Sequence, residues 1–154
     1  RYLLVYTDAT IREKRGATVD FDNIEDIRAY FADDEFARKC LGATIDDYDF
    51  ETGIATVSMR IDDRHHNAQG FVMGGVFFSL ADYALAIASN VNQPPSASTN
   101  SSIAHMRRVK GNTLRAVAHP DKIGRNLAFF TIDLFDEPGN LVARMSATVM
   151  RTTH

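Results

Sequence analysis

The chain has 154 residues, 45% hydrophobic and 24% charged, a composition that fits one folded domain and excludes a disordered chain. A formal net charge of −3 argues against global attraction to nucleic acid or an anionic membrane, although a local basic patch stays open. The single cysteine, Cys40, excludes an intrachain disulfide and any multi-cysteine zinc or iron–sulfur site.

In chain order, residues 1–6 read as a short strand and 13–16 as a turn. No signal-peptide pattern is visible, and a cytoplasmic location is expected. Helical spacing begins at Ile24 and continues through Ile27, Tyr30 and Phe31, with Asp22 and Glu25 spaced as a capping box. Asp33, Asp34 and Glu35 make a second acidic helix start, followed by Phe36, Ala37, Cys40 and Leu41 and ended by Gly42. Residues 49–53 form a turn. Ala55, Val57, Met59 and Ile61 then alternate with polar neighbours, the pattern of a half-buried strand.

Residues 71–89 carry one charge, Asp82, and approach the length of a membrane span. A mid-segment aspartate costs roughly 2.5–3.5 kcal/mol on insertion. Gly74-Gly75 also interrupts the first half, so a buried helix running to about Asn90 is the better reading. Its apolar residues fall on every side, which predicts burial on every side, by a curling sheet and a partner subunit. Four alternating segments follow, at residues 97–105, 114–119, 128–134 and 143–149. A Pro-Gly hairpin loop lies at 136–140 and a glycine turn at 110–112.

Four groups of residues carry chemical possibilities. Gly74 and Gly75 open the long helix, where unpaired N–H groups favour negative charge and the missing side chains let a substrate approach the backbone. They suit a thioester oxyanion, or else serve only tight helix–sheet packing. Asp82, a lone carboxylate on an apolar helix, is either a general base or nucleophile, or a structural carboxylate satisfied by neighbours. Eight residues of helix separate Gly74 from Asp82, about 12 Å at ~1.5 Å per residue. One carbonyl group can hardly meet both from one chain, so the site is expected to join Gly74 of one copy to Asp82 of another in a two-fold dimer. The third group is basic. Residues 101–125 hold Arg107, Arg108, Lys110, Arg115, Lys122 and Arg125 against Asp121 alone, either a dock for phosphates or a strand edge protected by charge. Asp62, Asp63, His65 and His66 raise a metal site, but adjacent histidines seldom reach one ion, and a solvated turn is the plainer account.

The run Asn67-x-x-Gly70-x-x-Met73-Gly74-Gly75, followed by Leu80-Ala81-Asp82, resembles the hotdog-fold acyl-CoA thioesterases of the phenylacetate-pathway (PaaI-like) branch. The likeness extends from about Phe36 to Arg151, with a further echo at Gly124-Arg125. It implies an α+β hotdog fold, a long central helix wrapped by a curved antiparallel sheet. The whole chain would be one such domain, with residues 1–22 as an extension. It also implies hydrolysis of an acyl-CoA to free acid and coenzyme A by a homodimer or dimer of dimers, with no metal or cofactor beyond the coenzyme A of the substrate. No nucleic acid or membrane partner is expected. By the same resemblance Asp82, Gly74 and Asn67 are catalytic; Asn67 orients the attacking water or the Asp82 carboxylate. Gly75, Met73, Gly70, Gly124 and Arg125 bind substrate, Arg125 on the nucleotide side. Met73 stands where the family has histidine, so the glycine amide is expected to hold the thioester oxygen. The alternatives are a hotdog hydratase or dehydratase and a non-catalytic acyl-CoA binding module.

Overall fold

Alternating apolar residues and one long apolar run divide the chain into a sheet and a helix that share a core. The computed structural model describes residues 19–152. The expected strand at 1–6 and turn at 13–16 lie outside them. A short helix α1 (Ile24–Tyr30) is followed by a 3-10 turn, Phe31–Asp33, and a π-helical turn, Phe36–Cys40. Strands β1 (Ala43–Tyr48) and β2 (Ala55–Arg60) precede a second 3-10 turn, Asp63–His65, and the long helix α2 (Gly74–Asn90). Strands β3 (Ser96–His105), β4 (Thr113–Ile123), β5 (Leu127–Asp136) and β6 (Leu141–Arg151) complete the fold. The six strands form one sheet in the order β1-β2-β4-β5-β6-β3, every neighbouring pair antiparallel.

Helix α2 packs on one face of this sheet, chiefly against β4, β2 and β5. Small residues make the close approach possible. Ala55 pairs with Ala118 and Val57 with Ala116, all buried under the helix layer. Leu80, Ala84 and Ile87 of α2 are fully buried, as are Ile132, Leu134 and Met145 of the sheet. Burial of this kind stabilises by about 25 cal/mol per Å² of apolar surface, the dominant favourable contribution to a core.

Two local expectations are corrected. Asn23 rather than Asp22 caps α1; its Oδ1 accepts from the N–H groups of Glu25 and Asp26 at 2.9 and 3.1 Å. Strand β1 is a sixth strand that the alternation did not announce, because a bulge between Ile45 and Asp47 breaks its period. Within one chain helix α2 keeps an exposed stripe, Gly75, Phe78 and Asp82, Phe78 at 38%, which leaves a side for the partner subunit that its apolar pattern led one to expect. The other sides are buried as their apolar residues require.

Candidate active site

The residues before α2 form a small closed loop. His66 bridges Val72, and the Met73 N–H donates to the His65 carbonyl at 2.9 Å. Inside it the Asn67 Oδ1 accepts from the N–H groups of Gln69 and Phe71, at 2.9 and 3.1 Å. Gly70 takes the left-handed conformation, φ +78°, that lets the turn close. Asn67 is therefore a loop-holding residue whose oxygen is already engaged. Its Nδ2 donor has no bond among the described residues, so a water oxygen, a carboxylate or a carbonyl can use it.

The loop delivers the chain into α2 at Met73, whose side chain gives no cap to the helix and is 51% exposed. The amides of Gly74 and Gly75, the first two of the helix, have no acceptor among the described residues. They face different surroundings. Gly74 lies in a groove of about 440 Å³ lined also by His66, Phe71, Phe77, His105, Arg107 and Arg108. Gly75 lies in a smaller, mostly apolar groove with Phe36, Cys40, Leu41, Met73 and Val76.

The rim of the first groove is anchored from the sheet. Asp136 is buried and accepts from both Asn140 nitrogens and from the Lys110 N–H at 3.2 Å. Burial alone would raise its carboxyl, but the hydrogen bonds from Asn140 and Lys110 hold it below the usual value. Glu137 accepts from the Asn112 N–H at 2.7 Å. The Met106 N–H donates to the Val142 carbonyl at 2.8 Å, so the segment that carries Arg107 and Arg108 is held at both ends, and the Arg108 guanidinium rests 3.8 Å above the Phe71 ring. His105, which sequence reasoning passed over, stands at the end of β3, its ring edge-on to Phe77 with centroids 5.2 Å apart.

Asp82 lies elsewhere. It lines a groove of about 290 Å³ with Ser89, Asn90, Ser96, Ser98 and Val149. Although on the exposed stripe of α2, it is close enough to protein that burial raises its carboxyl above the usual range, with the Asp34 charge adding to the effect. Ser96 and Ser98 are further polar residues of this groove that the sequence did not single out. Gly124 and Arg125 sit in the β4–β5 turn, where Arg151 donates to the Gly124 carbonyl at 2.7 Å and the Arg151 N–H reaches Asn126. Strand β4 spans about 30 Å between this turn and the Arg107–Arg108 segment, at ~3.3 Å per residue. One chain therefore gathers Gly74, Gly70 and the two arginines at one end, and leaves Asp82 and Arg125 towards the other.

The Asp62–His66 segment is taken up locally. Asp62 pairs with Arg64 at 2.8 Å, and hydrogen bonds from that arginine hold its carboxyl at about 2. His65 departs from the solvated turn expected here: it is 3% exposed, and its Nδ1 accepts from the Asp62 N–H at 3.0 Å.

Sheet, helix and glycine-opened loop together define a hotdog-fold enzyme, and comparison with known proteins gives its class. Residues 69–143 match the family described as Thioesterase superfamily. A provisionally named esterase of Deinococcus radiodurans is 36% identical over 113 residues, 72% of this chain and 75% of the relative. Human acyl-coenzyme A thioesterase 13 is 30% identical over 96 residues, 60% of this chain and 69% of the relative. Among solved structures, the Escherichia coli PaaI protein of the phenylacetic acid degradation operon is 26% identical. It covers 84% of this chain and 93% of its own, with a TM-score of 0.77. The chain belongs to the thioesterase superfamily and is a thioester hydrolase. Within that superfamily it falls in the PaaI-like branch. No helix among the described residues is long and apolar enough to cross a membrane.

Proposed function

We propose that the chain hydrolyses an acyl-CoA thioester to free acid and coenzyme A, in sites shared between two copies related by a two-fold axis. The separation of Gly74 and Asp82 into different grooves of one chain carries this reading. A helix eight residues long between them spans about 12 Å, against the ~3 Å at which an oxyanion donor works. The outer edge of β3, unpaired among the described residues, and the exposed stripe of α2 offer a second copy two places to dock. The acyl-CoA class is supported by human acyl-coenzyme A thioesterase 13 as a relative and by Arg107 and Arg108 at the groove that holds Gly74.

In this reading the thioester oxygen accepts from the Gly74 N–H. Asp82 of the second copy takes a proton from water as the water oxygen attacks the carbonyl carbon. The tetrahedral intermediate collapses, the carbon–sulfur bond breaks, and the thiolate leaves. The Asn67 Nδ2 donor positions the water or the carboxylate. Gly70 shapes the loop, Met73 and Gly75 flank the acyl side, and Gly124 and Arg125, arriving with the second copy, flank the nucleotide side. No metal or further cofactor takes part. A lone free cysteine suits a reducing compartment, and we place the reaction in the cytoplasm.

Mixing two inactive variants tests the shared site. Asp82→Asn and Gly74→Val, each folded and dimeric by circular dichroism and sedimentation, are expected to release almost no thiol alone from a panel of acyl-CoAs. After subunit exchange about half the dimers are mixed, each with one intact site of two. Roughly a quarter of wild-type activity should return. No recovery in exchanged heterodimers overturns the shared site; wild-type inactivity on the whole panel overturns the acyl-CoA substrate.

A further inference from the structure

A Cβ built on Gly74 would lie 3.4 Å from the His105 Nε2 and 3.5 Å from its Cε1. The imidazole therefore borders, at van der Waals distance, the space that a side chain at position 74 would enter, on the wall of the groove into which Gly74 opens. Phe77, one turn along α2, fixes the ring by an edge-on contact at 86° between planes. Neither ring nitrogen has a hydrogen-bond partner among the described residues, and His105 is exposed to the groove. The other polar groups lining that groove are His66, Arg107, Arg108 and Asn112. Position 73, where the sequence motif leads one to expect an imidazole, supplies only a thioether. An imidazole instead reaches the adjacent glycine from β3, some thirty residues later in the chain.

We propose that His105 is a second donor to the thioester oxygen, its ring N–H and the Gly74 N–H closing on that atom from two sides of one groove. This rests on hydrolysis at Gly74 as described above. As the carbonyl carbon becomes tetrahedral, negative charge grows on the oxygen, and a second fixed donor is worth more in the transition state than in the bound substrate. His105 would then act on kcat rather than on KM, which separates it from a residue that merely packs against Phe77.

Three variants test it. His105→Phe keeps a ring against Phe77 and removes the donor; kcat should fall about 10²- to 10³-fold, the loss seen for one oxyanion donor, with KM nearly unchanged. His105→Gln restores an N–H donor at similar reach and should recover most of that loss. His105→Ala should fall as far as the phenylalanine variant and regain turnover with added imidazole. Circular dichroism checks each fold, and the position, on an exposed strand end, tolerates substitution. Wild-type kcat in His105→Phe or His105→Ala overturns the proposal, and so does an equal loss in all three without imidazole rescue. Each variant is assayed on an acyl-CoA and on the same acyl group carried by N-acetylcysteamine. A wild type active only on the short thioester removes coenzyme A from the function and leaves His105 to be judged on that substrate. A wild type inert on both overturns the donor role together with the function it depends on.

Discussion

The start and the middle of the long helix make opposite kinds of chemistry available. At the helix start the chain presents backbone amides, fixed by the Asn67 loop and themselves indifferent to pH, with the His105 ring beside them. Eight residues on, Asp82 offers a carboxylate whose charge depends on its surroundings and which is already pushed towards its neutral form. Fixed donors stabilise a developing negative charge without reorganising. A titratable group is suited to moving a proton. The difference shows why a single helix can carry both functions without either interfering with the other: they open into separate grooves.

The largest effect that would sharpen this contrast comes from the carboxylate. Asp82→Asn should lower kcat by roughly 10²- to 10⁴-fold, the range for a positioned general base, while leaving the circular dichroism spectrum unchanged. Near-normal thiol release from this variant would erase the distinction between the two positions. At the helix start, Gly74→Val sets a branched side chain against His105 and should cut kcat/KM by about 10²-fold or more in the same assay, because it blocks the oxygen's approach to the retained amide.

A third expectation concerns pH. A base must be ionised to act, so the acid limb of kcat/KM should lie above ~3.9, the ordinary aspartate value, because the Asp82 carboxyl is raised. A profile flat down to pH 4 would contradict it. The same shift carries a smaller stability effect. The folded chain binds the Asp82 proton more tightly than the unfolded one, so stability declines as pH rises from about 4 through the raised value. Asp82→Asn removes that penalty. The variant should be more stable at pH 7 by no more than about 1 kcal/mol, since an exposed charge is screened. The gap should close below about pH 4 in urea titrations. The smallest effect is expected at Met73→His. The side chain at 73 is half exposed and caps nothing, so turnover should stay level or rise modestly. A collapse in kcat with the fold intact would show that the Met73 thioether has a specific task.

Much of this was legible in the residues and some was not. The long helix, its glycine start and its lone aspartate stand out because so apolar a run, with Asp82 its single charge, must leave water to be stable. The C-terminal strands are legible from period-two alternation, and Leu114, Ala116 and Ala118 do all face the core. Strand β1 is hidden by its bulge, where Asp46 and Asp47 interrupt the pattern. His105 belongs to no motif. Its importance comes from a neighbour some thirty positions earlier, and that proximity exists only once β3 has taken its place at the sheet edge. Full burial of α2 was inferred from composition alone, and composition does not say which molecule does the covering.

The place of β3 has a consequence for how the chain reaches this structure. Strands β4, β5 and β6 follow one another as hairpins, and β1 pairs with β2 across a short turn. Among the described residues strand β3 finds its partner only in β6, with Ser96 opposite Arg151 and His105 opposite Ala143. Such long-range pairing closes late, because the entropy of the intervening loop must be lost before any contact forms. During synthesis β3 therefore emerges from the ribosome well ahead of the strand that will hold it. Its run of Ser98, Thr99, Asn100, Ser101 and Ser102 is what such a wait demands, since a polar strand can stay hydrated where an apolar one would seek the first exposed edge it met.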